Sequence, residues 1–232
     1  MKKVALIVGH DVEGKSKGAI NYLGEYESTF NFRIAKKVKS KLKDYDISVK
    51  IFTTDLKLHS TIGYEVSEFM PSMSLELHFN SFSSPAFGCE VLALEDDIAS
   101  QALARLVAAN ISYSMGIKRR RDQGLYIISK GGRGFNNLNY LKIYQKKYFP
   151  KVLVEPCFAN IKTKESQYFF EKEDEYVECL VKVVKTQLNL EPNNHTPDIR
   201  TPKPSKTGLR KSPKNIIDRI IIAIKKFFKG MY

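Results

Sequence analysis

Hydrophobic and polar positions along the chain follow two periods that take turns. Val4 to Val8 is an unbroken apolar run closed by Gly9, the pattern of a strand buried on both faces. From about Glu27 to Leu42, Phe30, Ile34, Ala35, Val38 and Leu42 recur at helical spacing with lysines opposite them. Ile47 to Thr53 reads as a second strand, and Thr61 to Met70 as a short helix. Met73 to His78 is a strand that ends on a histidine, and Gly88 to Leu94 is another. Ile98 to Tyr113 is a helix rich in Ala and Leu, followed by a strand over Leu125 to Ile128 and a glycine-rich loop with Gly131, Gly132 and Gly134. Lys151 to Glu155 is the last apolar strand, and Lys164 to Leu188 reads as one long closing helix. Strands that alternate with helices predict an α/β fold, a mostly parallel twisted sheet with helices on both faces. In such folds ligands gather at the carboxyl ends of the strands.

The pattern changes after residue 190. Residues 191–213 carry five prolines with Asn, Thr, Ser and Lys and almost nothing apolar, which predicts an extended linker over 191–214. Residues 215–232 become amphipathic on a helical wheel, with Ile216, Ile217, Ile220, Ile221, Ile224, Phe227 and Phe228 on one side. Asp218, Arg219, Lys225, Lys226 and Lys229 fall on the other side. A cationic helix of this kind suits an anionic membrane or lipopolysaccharide, a docking site on the folded part, or self-association. The expected organisation is a folded domain over 1–190, a linker over 191–214 and an amphipathic helix over 215–232.

Charge sharpens this division. The chain of 232 residues has a formal net charge of +13. Residues 191–232 hold ten Lys or Arg against three Asp or Glu, whereas residues 1–190 hold 28 against 22. The basic tail keeps its aromatic residues on the apolar face, not interleaved with lysines as a base-stacking platform would have them, so no nucleic-acid partner is expected. No apolar stretch approaches the roughly 18 to 20 residues of a membrane-spanning helix. The start Met1-Lys2-Lys3 is followed by too short an apolar run and by no small-residue cleavage site, so the expectation is synthesis in the cytoplasm without a signal peptide. Cys89, Cys157 and Cys179 have no paired spacing and read as buried thiols.

Three of the predicted strands run straight into titratable groups, which a rigid support would hold in place. The first ends in Gly9-His10, the third in Leu77-His78-Phe79-Asn80, and the last in Val154-Glu155-Pro156; Glu27 opens the first helix. Two histidines and a carboxylate at one sheet edge are the ligand set of a catalytic zinc, with a further carboxylate left as general base. The same residues also have bland readings. A histidine after a strand is commonly a satisfied structural residue, Glu27 favours a helix dipole, and Glu155 precedes a turn-forming proline.

The combination resembles a family. Gly9-His10, Glu27 with Asn31 four residues on, Leu77-His78-Phe79-Asn80-Ser81, Gly88-Cys89-Glu90 and Val152 to Asn160 together resemble the zinc-dependent N-acetylmuramoyl-L-alanine amidases, over about residues 3–188. The segment from Arg133 through Leu138 towards Pro150 is similar to the phage-encoded branch. The resemblance implies that His10, Glu27 and His78 bind Zn2+ and that Glu155 is the catalytic acid and base. It further implies Asn80, Glu90 and Arg133 as residues that orient ligands or substrate, Arg133 through a peptide carboxylate. The implied substrate is peptidoglycan, cut between muramic acid and L-alanine at the cell wall, as by a lysin. Two features depart from the family pattern: Ile7-Val8-Gly9-His10-Asp11-Val12 stands where Asp-Pro-Gly-His and two glycines are usual, and after Thr53-Thr54-Asp55 the arginine common in the family's next helix is missing, with Gly63-Tyr64-Glu65 in its neighbourhood. Glu25 is a rival ligand, and the spacing to Asn31 favours Glu27. Another zinc peptidase or deacylase, or a wall-binding protein on the same fold, are the competing readings.

Overall fold

The computed structural model describes residues 1–55 and 57–191; the predicted linker and terminal helix lie outside the described residues. Among the described residues twelve elements follow one another: β1 (Lys2–Val8), α1 (Glu27–Lys41), β2 (Ile47–Thr53), α2 (His59–Phe69), β3 (Met73–Leu77), β4 (Glu90–Leu94), α3 (Ile98–Met115), β5 (Leu125–Ile128), α4 (Phe135–Tyr144), β6 (Lys151–Glu155), α5 (Lys164–Glu171) and α6 (Glu173–Leu188). The six strands form one sheet in the order β2-β1-β3-β6-β4-β5. Every neighbouring pair is parallel except β4 with β6, which is antiparallel with Glu90 opposite Glu155. The mostly parallel α/β sheet expected from the pattern is thus present.

Period-2 alternation along the strands builds two apolar layers. Val4, Leu6, Val8, Met73, Leu75, Leu77, Val91, Ala93, Val152 and Val154 join the larger core with α1, α3 and α6. Ala5, Ile7, Leu92, Leu94 and Leu153 join a smaller one with Ile62 and Val66 of α2 and Leu138 and Leu141 of α4. Both faces are therefore covered by helices. Among the described residues no helix is long and apolar enough to cross a membrane. The three cysteines are free and buried, as expected.

Two elements differ from the sequence reading. The glycine-rich stretch is followed by a helix, α4, which the pattern did not predict; Phe135-Asn136-Asn137-Leu138-Asn139 is rich in Asn, a weak helix former, and only Leu138 and Leu141 of it are buried. The closing helix is two helices, not one. α5 starts with a capping box between Thr163 and Ser166, and the chain leaves helical geometry at Lys172. Glu173, Asp174 and Glu175 then crowd the first turn of α6, where negative charge favours a new helix start. Arg33 of α1 fastens this junction by pairing with Glu173 and with Glu25.

At its first residue β6 carries a buried ion pair. Lys151 Nζ lies 3.0 Å from Asp97 Oδ2, with the two side chains 0% and 4% exposed. Burial pushes the Asp97 carboxyl up, but hydrogen bonds from Tyr148, Lys151 and Ser100 outweigh it and hold the group below its ordinary range. A lowered folded pKa means that this stabilisation is complete above the unfolded value of about 3.9 and disappears as pH falls through the folded one. Asp97→Ala leaves the Lys151 ammonium buried and unpaired, so it is expected to cost about 3–5 kcal/mol at pH 7. Urea unfolding of wild type and variant at pH 7 and pH 3 checks this, with the gap narrowing at the lower pH.

Candidate metal centre

The sheet edge at the carboxyl ends of β1, β3 and β6 gathers His10, His78 and Glu155. Glu27 is delivered by the first residue of α1. Among the described residues, His10, Glu27 and His78 form a group whose ligand atoms all lie within 4.8 Å of one another. His10 Nε2 is 3.5 Å from Glu27 Oε2, and His78 Nδ1 is 2.9 Å from Glu27 Oε1. Ligands at about 2.0–2.1 Å from a tetrahedral zinc are roughly 3.3 Å apart; the two contacts to Glu27, one on each of its oxygens, bracket that spacing. Glu155 adds a second observation: its Oε2 is buried without a hydrogen-bond partner at the same cavity. Glu25, the rival ligand, is engaged by Arg33 instead.

Local structure explains how each ligand is held. His10 has φ 63°, a left-handed conformation that costs a residue with a Cβ about 1–2 kcal/mol. The loop after it is fixed by Asp55, whose Oδ1 accepts the Val12 and Glu13 amides at 2.7 and 2.9 Å. The holding is done by a carboxylate just past the end of β2. Glu27, almost wholly buried, accepts from the Ala19 amide at 3.1 Å and the Phe79 amide at 3.1 Å as well as facing both histidines. Asn31, whose spacing singled out Glu27, has a buried amide with no hydrogen-bond partner.

The His78 ring is clamped between two carboxylates: Nδ1 faces Glu27, and Nε2 lies 3.1 Å from Glu76 Oε1. Burial disfavours its charged form, yet hydrogen bonds to Glu27 and Glu76 carry its pKa well above the ordinary value. A metal held by His78 at Nδ1 would displace a proton there and leave Nε2–H to Glu76. Burial lowers the His10 pKa against the pull of Glu27. Glu155 is pushed by burial up to about 7. Burial also raises the Cys157 thiol well above its usual range, which leaves it inert, in keeping with a packing role.

The cavity, about 810 Å³, is lined by these groups and by Asn80, Arg133 and Asn137. Asn80 Nδ2 donates to Glu90 Oε1 at 3.0 Å, and Arg133 reaches Asn80 Oδ1 at 2.5 Å and also pairs with Glu90. The three residues expected to orient ligands or substrate thus form one cluster, which joins the end of β3 to the start of β4 past Glu155. Glu76 was not foreseen, although its place two residues before His78 puts it on the same strand face. Asn137, which hydrogen-bonds Glu76 from the unforeseen α4, had no signal in the pattern.

Comparison with known proteins agrees with this geometry. A family profile described as N-acetylmuramoyl-L-alanine amidase matches residues 4–183. The chain belongs to this family. The catalytic domain of CwlV, an N-acetylmuramoyl-L-alanine amidase from Bacillus (Paenibacillus) polymyxa var. colistinus, is 23% identical with a TM-score of 0.64, over 82% of this chain and 100% of that one. An N-acetylmuramoyl-L-alanine amidase from Clostridium difficile 630 is 26% identical with a TM-score of 0.62, over 81% and 97%. The catalytic domain of the CD27L endolysin shares the fold at 16% identity and a TM-score of 0.61, over 82% and 98%. A sequence comparison with curated proteins gives no significant match.

In this amidase Gly9 is a direct test of the clamp. A Cβ at Gly9 would overlap the His78 ring, which Glu27 and Glu76 prevent from moving aside. Gly9→Ala is expected to keep its far-UV circular dichroism and to lose about 10–100-fold in zinc affinity, the range typical of disturbed ligand orientation. Competition against a chromophoric chelator measures it.

Proposed function

We propose that the chain is a zinc-dependent amidase that cuts peptidoglycan between N-acetylmuramic acid and L-alanine, with His10, Glu27 and His78 as ligands and Glu155 as general base and then acid. The observation that carries this reading is the unpartnered, buried carboxylate oxygen of Glu155 in the cavity that also holds the three-ligand group. Zinc in that group would supply a Lewis acid that polarises the lactoyl carbonyl and lowers the pKa of a water towards about 7. Glu155 takes the proton of the attacking water and passes it to the L-alanine nitrogen, because an unprotonated amide nitrogen is too poor a leaving group. Burial suits Glu155 to both tasks: a carboxyl raised towards neutrality is basic enough to accept a proton and acidic enough to return it. Asn80 and Glu90 hold Arg133 at the cavity wall, where its guanidinium is placed for a carboxylate of the peptide.

A lysin role, in which the enzyme reaches the wall from the cytoplasm, goes with this activity and with the cationic sequence of 215–232, read as a helix for an anionic membrane or lipopolysaccharide behind the linker 191–214. Residues 1–190 are then the catalytic unit.

Incubation of purified peptidoglycan with zinc-loaded wild type and Glu155→Ala, followed by mass spectrometry, tests the chemistry. Wild type is expected to release peptides that begin at L-alanine, and Glu155→Ala to release them about 10²–10⁴-fold more slowly. Glycan fragments, or equal release by both proteins, would contradict the reading. The acid limb of kcat/KM is expected at or below about 7, since Glu155 must be ionised to accept a proton and a cation beside it can only lower the value of about 7 set by burial. A pH-rate profile of wild type locates that limb.

A further inference from the structure

Beside Glu155, on the neighbouring strand, a single buried carboxylate collects three guanidinium groups. Glu90, whose side chain is 3% exposed, stands opposite Glu155 in the antiparallel pairing of β4 and β6. Arg120 Nε and Arg121 Nε each lie 3.2 Å from its Oε2, and Arg133 pairs with its Oε1, which also accepts from Asn80. Four donors fill the lone-pair positions that one carboxylate offers. The arginines are not used up in turn: their side chains remain 36%, 47% and 45% exposed. Arg121 and Arg133 both lie over the Tyr126 ring, at 3.8 and 5.6 Å from its centre, and Arg120 lies over Phe158 at 4.8 Å. Aromatic faces and a shared anion hold the guanidinium planes in place before any ligand arrives.

Three guanidinium groups on one carboxylate leave the cluster with two positive charges in excess, and Arg133 carries it to the lining of the catalytic cavity. Its position decides what it meets. Glu155 must reach the leaving amine, so the peptide, not the sugar, lies on the Glu155 side of the scissile bond. The strand next to Glu155 in that direction is β4, and inter-strand spacing is only about 5 Å. We propose that Arg133, Arg121 and Arg120, gathered on Glu90, form a subsite for a free carboxylate of the peptide just beyond its N-terminal L-alanine. This inference rests on the amidase reading and names the acidic character of the peptide it prefers.

The test uses two synthetic N-acetylmuramoyl peptides of the same sequence, one with a free carboxylate on the residue after L-alanine and one with that group as carboxamide. Zinc-loaded full-length wild type is expected to favour the acid in kcat/KM by about ten- to hundredfold, the size of one or two charge-assisted hydrogen bonds. Arg121→Gln and Arg120→Gln are expected to shrink that preference towards one, and Arg121→Lys to restore part of it. Thermal melts confirm that the variants fold. A wild type without preference, or a preference that survives in both glutamine variants, overturns the subsite. If wild type hydrolyses neither peptide, the amidase reading itself fails, and calorimetry of the same two peptides against the same proteins decides the subsite separately. Carboxylate-dependent binding lost in Arg121→Gln supports it, and equal or absent binding overturns it.

Discussion

The buried carboxylate of Glu27 is the constraint on which the site depends. Removing a charge of this kind from water costs several kcal/mol unless each lone pair finds a partner. Glu27 finds them on separate pieces of chain: amides at Ala19 and Phe79, and the rings of His10 and His78. Satisfying one group therefore ties the loop after β1, the start of α1 and the end of β3 into a single arrangement. The same requirement explains why a left-handed residue is tolerated at His10. The conformational cost there is about 1–2 kcal/mol, smaller than the cost of leaving Glu27 without its partners.

Around this anchor the cavity is electrically divided. On the histidine side stand Glu27, Glu76 and Glu155, three buried carboxylates facing two imidazoles. Such a surplus of negative charge can be met by protonation, as the raised value of His78 between Glu27 and Glu76 shows, or by a cation. On the other side Glu90 is outnumbered by arginines. The division follows from topology. Glu90 begins β4 where Glu155 ends β6, and only the antiparallel pairing of these two strands brings a strand start to the edge where the other site residues are strand ends.

Much of this was legible in the amino-acid pattern because it is local. Ile47–Thr53 and Lys151–Glu155 have the bounds that the apolar runs predict, and strand ends locate His78 and Glu155 without any knowledge of the tertiary structure. Glu27 is a first-turn acidic residue, visible as such and ambiguous for that reason; the spacing to Asn31 favoured it over Glu25, and its distance to two histidines adds the geometry that the pattern lacks. What escaped the pattern is non-local or weakly patterned. The helix α4 is built from Asn-rich sequence that acquires its buried face, Leu138 and Leu141, from packing on α2 and the sheet. The break at Lys172 comes from acidic residues that are as acceptable inside a helix as at its start. The arginine cluster needs the reversed strand, which a chain of alternating strands and helices does not announce.

The reach of Glu155 is set at the opposite end of its own strand. Lys151 and Glu155 are four residues apart in β6, so both point to the face of the smaller core, with Leu153 between them. A register shift by one residue would turn Glu155 into the larger apolar core and Val154 into the cavity. Alternating valines oppose that slip, but the buried Lys151 opposes it more strongly, since its ammonium has its anion, Asp97, in one position only. An ion pair of this sort contributes little net stability over an apolar pair. Its consequence is positional: it fixes which residue of β6 ends opposite Glu90 and beside the histidines, and so fixes where the proton is taken and returned.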